Sequence, residues 1–141
     1  MKNILVFALI LVLFSSCKKE KKETVINEAP ISKESKILSM GDFIDNKAGH
    51  EISGKAFIVS DTSGKILLRL EDFSSTAGPD VNVYLSKTPG FVDVKDLGDL
   101  KATKGNMTYE NVGTIDINEY KYVLIWCKEF SVLFGHAELK K

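Results

Sequence analysis

Cysteine is scarce in this chain of 141 residues: only Cys17 and Cys127 occur, too few for the disulfide framework of a small secreted domain. Net charge is missing as well. Nineteen basic and nineteen acidic side chains cancel, so the chain lacks the basic excess with which nucleic-acid binders neutralise phosphates. No apolar run reaches membrane-spanning length. The longest is the eleven residues Ile4 to Phe14, against roughly 20 needed to cross about 30 Å of hydrocarbon. A nucleophile elbow of the Gly-x-Ser-x-Gly type is absent, which removes the usual serine hydrolases. The covalent haem motif of two cysteines followed by histidine is absent too. What remains is an ordinary globular balance, 44% hydrophobic and 27% charged, in a length that suits one domain.

The N-terminus carries an address. Lys2 precedes the apolar run, and Ser15-Ser16 lead from it to Cys17. A charged start, a short apolar stretch and a small-residue exit define an export signal, here residues 1–16. The Ser-Ser-Cys ending resembles the bacterial lipobox, which implies that Cys17 becomes the first mature residue, carries lipid and anchors the protein to a membrane. Residues 17–36 then read as a charged, disordered tether. From Lys18 to Lys36 there are six lysines and four glutamates, with little to bury against the entropy of ordering. Lys18 is not the aspartate that commonly retains enteric lipoproteins in the inner membrane. The expected location is therefore the bacterial cell envelope, extracytoplasmic, on the outer membrane of a Gram-negative cell.

Residues 37–141 carry 12 basic and 15 acidic side chains and no helical pattern of convincing length. Short runs rich in Val, Ile, Phe and Tyr alternate with turn residues instead. Glu51 to Ser60 and Lys65 to Phe73 flank Asp61-Thr62-Ser63-Gly64, the signature of a hairpin. Val81 to Lys87 alternates, with Val81, Val83 and Leu85 on one face and Asn82, Tyr84 and Ser86 on the other, as in a half-buried strand. Residues 88–107 read as a long loop with at most one helical turn, followed by a short strand from Thr108 to Val112. Tyr120 to Cys127 is apolar on both faces, which places it centrally, and Ser131 to Leu139 returns beside it. Six or seven such strands predict an all-β domain, an antiparallel β-sandwich or barrel.

Several fragments, taken in order, resemble a known family. They are Gly41-Asp42-Phe43, His50 with Ser53-Gly54, Leu68 to Phe73, Gly78-Pro79-Asp80-Val81 leading into Val83-Tyr84-Leu85-Ser86, and Leu97-Gly98-Asp99-Leu100-Lys101. Gly105, Tyr109, Ile125-Trp126-Cys127, Phe130-Ser131-Val132 and Phe134-Gly135 with Ala137 and Leu139 complete the series. Together they resemble the DM-thirteen domain, found in animal extracellular proteins and bacterial lipoproteins and sometimes labelled an electron-transfer domain. The resemblance implies a β domain from about Gly41 to Leu139 and a redox role built around its single cysteine.

Two readings of the chemistry follow. With Cys17 lipidated, Cys127 has no partner within the chain, and an odd thiol in an exported protein is a candidate redox centre if its pKa is lowered and it is exposed. The other reading makes Cys127 a small hydrophobe inside a central strand, with Trp126 and Phe130 nearby favouring burial. The protein is then a non-enzymatic surface module binding a protein, glycan or matrix component, for which Asp80, Trp126 and His50 are candidate contacts. Asp80 has a structural alternative, its carboxylate bracing the Gly-Pro-Asp turn by accepting backbone N–H bonds. Asp93, Asp96 and Asp99 lack the glycine and glutamate of a calcium loop and read as a solvated acidic face. His50, His136, Cys127, Met40 and Met107 match the ligand types of a blue-copper centre, but His136 follows Cys127 by nine residues and no methionine follows it. Neither metal site nor cofactor is expected, with copper and haem kept only as alternatives. The expected partners are the membrane and an envelope protein or redox partner, and the chain does not read as a stand-alone enzyme.

Overall fold

A computed structural model describes residues 23–47 and 49–141. Nine strands and, among the described residues, no helix make up the fold. They are β1 (Val25–Asn27), β2 (Lys36–Asp45), β3 (Ile52–Ser60), β4 (Ile66–Ser75), β5 (Val81–Ser86), β6 (Val94–Asp99), β7 (Lys104–Tyr109), β8 (Tyr122–Cys127) and β9 (Val132–Glu138). They form one curled sheet in the order β1-β7-β4-β3-β2-β9-β8-β5-β6, antiparallel throughout except for the parallel pair β1 and β7. The all-β expectation holds.

The curl is made by β2. Its first half pairs with β3 as far as Asp42 opposite Lys55, and its last three residues pair with β9 from Phe43 opposite Ala137. One strand thus belongs to both halves of the sheet, which fold over a shared interior. Gly41 permits the switch: a Cβ there would run into the Glu138 carbonyl of the neighbouring strand. Ala56, Ile58, Leu68, Leu70, Phe73 and Met107 line the interior from one half, and Val83, Leu85, Val123, Ile125, Cys127 and Phe134 from the other, all buried in one cluster. Local chemistry fixes the ends. The Asp61 carboxylate accepts the N–H groups of Ser63 at 2.9 Å and Lys65 at 2.8 Å, closing the β3–β4 hairpin where the sequence predicts it.

Three expectations need correction. Residues 88–107 are not one loop, because Val94–Asp99 forms edge strand β6 and β7 begins at Lys104 rather than Thr108. Glycines and charges hid β6, which has only one neighbour and so needs little apolar surface. Next, β5 is buried on both faces, not one. The 87–93 connection folds back over its outer face, held by the Ser86 hydroxyl, which shares its hydrogen between the carbonyls of Gly90 (3.1 Å) and Val92 (3.0 Å). Lastly, much of the expected tether is part of the domain. Val25–Asn27 adds an edge strand, and the chain must then cross β7, β4 and β3 to reach β2. The crossing lies on the outer face, where buried Arg69 donates to the carbonyls of Ala29 (3.0 Å) and Glu28 (3.2 Å) and to the Thr108 hydroxyl (2.9 Å). Glu28 completes the latch by accepting the Thr108 N–H at 2.7 Å and pairing with Lys101, also at 2.7 Å. Burial alone would raise the Glu28 carboxyl, but Lys101, the Thr108 N–H and Arg69 together hold it below its ordinary value.

Candidate functional site

Cys127 ends β8, opposite Val81 on one side and Val132 on the other. Its side chain points into the interior and is 1% exposed, with no disulfide partner among the described residues. Val81 also lines a cleft of about 300 Å³ beneath the Gly78-Pro79-Asp80 turn, together with Ala77, Leu100 and Thr103. The sulfur does not line that cleft. The exposure expected of a redox thiol is therefore not met: a thiol so placed cannot be reached by an attacking thiolate, because disulfide exchange needs contact with the sulfur. Phe130, whose proximity favours burial in the sequence reading, is itself 65% exposed at the tip of the β8–β9 hairpin.

Successive side chains on a strand point to opposite faces, so Trp126 leaves the sheet on the outside. There its indole stacks on Phe91 from the 87–93 connection, with centroids 4.3 Å apart and planes at 19°. Phe91 also meets the edge of Tyr84 at 4.9 Å and 83°. The three rings form one aromatic group, with Tyr84 buried at its base and Phe91 40% exposed at its top. Offset stacks and edge-to-face contacts are the favoured ring geometries. Polar groups border it. Asp96 on β6 pairs with Lys128 at 3.0 Å and accepts the Gly98 N–H at 2.8 Å, while the Asn82 amide donates to Asp99 at 3.2 Å.

The electrostatics follow from that border. Burial pushes the Asp96 carboxyl up, but the Gly98 N–H, Lys128 and Asn82 outweigh it and hold the group below its usual value. Asp96 in turn raises Lys128. Burial first, and then the Asp96 charge, raises the Tyr84 phenol, so this ring stays neutral across the physiological range. Two of the three aspartates expected on a solvated acidic face are therefore engaged with neighbouring side chains.

The remaining candidates are scattered. His50 stacks on Phe134 at the rim of the interior, with centroids 3.8 Å apart and planes at 8°. His136 is opposite Leu124 on the outer face and meets Tyr122 at 5.9 Å. Cys127 and Leu124 are three residues apart on β8, so the cysteine and His136 face opposite sides of the sheet. No group of three His, Cys, Asp or Glu side chains that could hold a metal gathers among the described residues. The expected brace from the Asp80 carboxylate is not formed; its carbonyl instead accepts the Lys128 N–H at 2.8 Å, tying the start of β5 to the end of β8. No hydrogen bond to its carboxylate is found among the described residues. The lipidation candidate Cys17 and the signal segment 1–16 lie outside the described residues.

The sequence reading names Trp126 as a candidate contact and does not name Phe91 or Lys128, which neighbour it on the outer face. Nothing in the spacing of 91, 84 and 126 signals their meeting, since a fold-back of the 87–93 connection brings them together. A search of curated proteins and a search of solved structures each found no match. A scan against family models does match, over residues 42–139, a span that contains the interior thiol, the aromatic group and all strands but β1 and the start of β2. The matching family is described as Electron transfer DM13, and the chain belongs to it.

Proposed function

We propose that the chain is a lipid-anchored, extracytoplasmic accessory module of electron transfer, held on the envelope through Cys17 and centred on Cys127. Membership of a family described as electron transfer supports the reaction class. The observation that carries the centre is the position of Cys127, an unpaired sulfur enclosed in the interior, one residue along β8 from an indole that reaches the surface stack. Such a sulfur is closed to thiol reagents and to disulfide exchange. An electron can tunnel without such contact: when the thiol gives one up (Cys–SH → Cys–S• + H+ + e−), the electron leaves by way of the Trp126 indole for an oxidised envelope partner and the proton leaves for solvent, while Phe91 holds the indole in place on the outer face. The partner is an envelope redox protein meeting that face, and the module carries no cofactor of its own.

The test compares wild type with Cys127→Ala by protein-film voltammetry, with thiol counts before and after denaturation. The expected result is a redox wave that disappears in the variant, and a Cys127 thiol that labels only after unfolding. An unchanged wave in Cys127→Ala, or no wave in wild type, overturns the assignment.

One observation favours a second reading as a binding module. The Phe91–Trp126 stack is partly exposed and bordered by Asp96 and Lys128, a surface suited to a partner with apolar and polar contacts. In that reading Cys127 is interior packing, Phe91→Ala abolishes partner capture, and Cys127→Ala leaves it intact.

A further inference from the structure

We propose that the domain rests on the bilayer with one defined end, and that the tip of the β8–β9 hairpin, Phe130, enters the lipid headgroup region. The proposal rests on the reading of Cys17 as the lipid anchor. Its first support is the length of the leash. Thr24 is already bound to the domain: its N–H donates to the Thr103 hydroxyl at 3.0 Å, and its carbonyl accepts the Lys104 N–H at 3.0 Å. Glu23 pairs with Lys104 at 3.0 Å. Only six Cα steps separate Cys17 from Glu23, which reach at most about 20 Å at ~3.3–3.6 Å per residue. A domain of about 100 residues has a radius of gyration near ~13 Å, and hence a diameter of about 35 Å. A leash shorter than the diameter cannot let the far end of the domain turn to the membrane.

The second support is the direction in which the leash leaves. β1 runs parallel to β7 with Val25 opposite Lys104, so the chain departs at the end where β7 begins. Register carries that end round the sheet. Lys104 is level with Ser74, Ser74 with Ser53, and beyond the switch in β2, Asp45 is level with Gly135. Val81, Cys127 and Val132 close the same end, and the hairpin of residues 128–131 projects beyond them.

The third support is what this end displays. Phe130 is the most exposed large apolar side chain of the described residues at 65%, preceded by Lys128 and Glu129 and followed by Ser131. It contributes nothing to the interior cluster. At the opposite end the β3–β4 tip, Thr62-Ser63-Gly64, is exposed and polar, and the exposed Phe91 and Val92 belong to the 87–93 connection, which folds back over the outer face of β5. An aromatic ring on the anchored side, with charged side chains before it and a serine after it, has the chemistry of an interfacial contact, where its apolar body leaves water and its neighbours stay hydrated.

The test uses the full acylated chain in phosphatidylethanolamine–phosphatidylglycerol vesicles containing a headgroup-region nitroxide lipid. In a Trp126→Phe background, a single tryptophan is placed by Phe130→Trp or by Thr62→Trp. At least threefold stronger quenching at position 130 than at 62 is expected, with a blue-shifted emission. Equal quenching at the two positions, or none at either, in chain that floats with the vesicles and has the mass of the lipidated chain overturns the proposal alone. Chain that lacks that mass and does not float overturns the lipid reading and this proposal with it. Hydrogen exchange of the unsubstituted chain gives a check that no variant can spoil. Vesicles should protect residues 128–131 and leave 61–64 unchanged, and the reverse pattern overturns the orientation.

Discussion

Replacing Arg69 by alanine should loosen the N-terminal strand from the sheet while leaving the interior intact. The guanidinium is 2% exposed and sits opposite Phe57 and Thr108 on the outer face of β4. It donates to Ala29 O, Glu28 O and Thr108 Oγ1 at 3.0, 3.2 and 2.9 Å, with the Glu71 carboxylate more distant at 3.4 Å. Hydrogen bonds from a charged donor are worth about 1.5–3 kcal/mol each, and breaking a buried charge network costs about 3–5 kcal/mol. The upper limit is set by release: once residues 23–31 leave the sheet, water satisfies Glu28 and Ala29 and the loss stops growing. The expected loss is therefore about 3 kcal/mol, or on the order of 10 °C in melting temperature for a domain of this size. Arg69→Lys keeps a charge but not the planar fork that reaches two carbonyls at once, and should fall between alanine and wild type. Urea unfolding measures the loss, and hydrogen exchange locates it. The amide of Lys104, which donates to Thr24 O, should lose its protection, while those of β8 keep theirs. If Arg69→Ala is within 1 kcal/mol of wild type and the Lys104 amide stays protected, the latch described here does not hold β1.

Two further predictions concern other positions. His136 is depressed by burial, with Glu138 opposing the shift only in part, and its Nδ1 has no hydrogen-bond partner. Because its folded pKa lies below the unfolded value of about 6.5, the unfolded chain takes up the proton first. Stability from this site is present at neutral pH and is lost as pH falls through that value. Tyr122, Glu138, Ile44 and Leu124 are the side chains that face it, so His136→Phe should flatten the decline in denaturation free energy between neutral and mildly acid pH. Parallel curves for variant and wild type would refute the assignment. Gly105 has φ +114°, and a Cβ there would collide with the Ile26 carbonyl, so Gly105→Ala should cost about 1–3 kcal/mol in strain and also open β1. Gly98→Ala is the control, with φ +105° but open space around the position. A larger loss at 105, with exchange at the Lys104 amide, is expected in melts and hydrogen exchange. Equal losses would remove the steric argument.

The sequence by itself determined the class of the fold and one strand that has neighbours on both sides. β-Branched and aromatic runs without helical period leave few alternatives to strands, and the greasy segment from Tyr122 to Cys127 lies between β5 and β9 as its two apolar faces require. The β3–β4 hairpin was equally legible, because Asp61 and Gly64 act on their own immediate neighbours. Edges were not legible. β6 carries Lys95, Asp96 and Asp99, and β1 sits among charged residues that look like a solvated tether, since an edge strand is held by backbone hydrogen bonds that any side chain permits. Only the tertiary structure decided that Arg69, the one arginine of the chain, latches residues 28–29 across three strands. It alone decided that Phe91 closes over Trp126 and Tyr84. The thiol shows both halves of the division. Its strand could be read from the residues around it, but which face of that strand Cys127 occupies, and what covers it, depended on how β2 folds the two halves of the sheet together. Periodicity along a chain records local alternation, whereas burial and approach between distant segments are set by the packing of the whole.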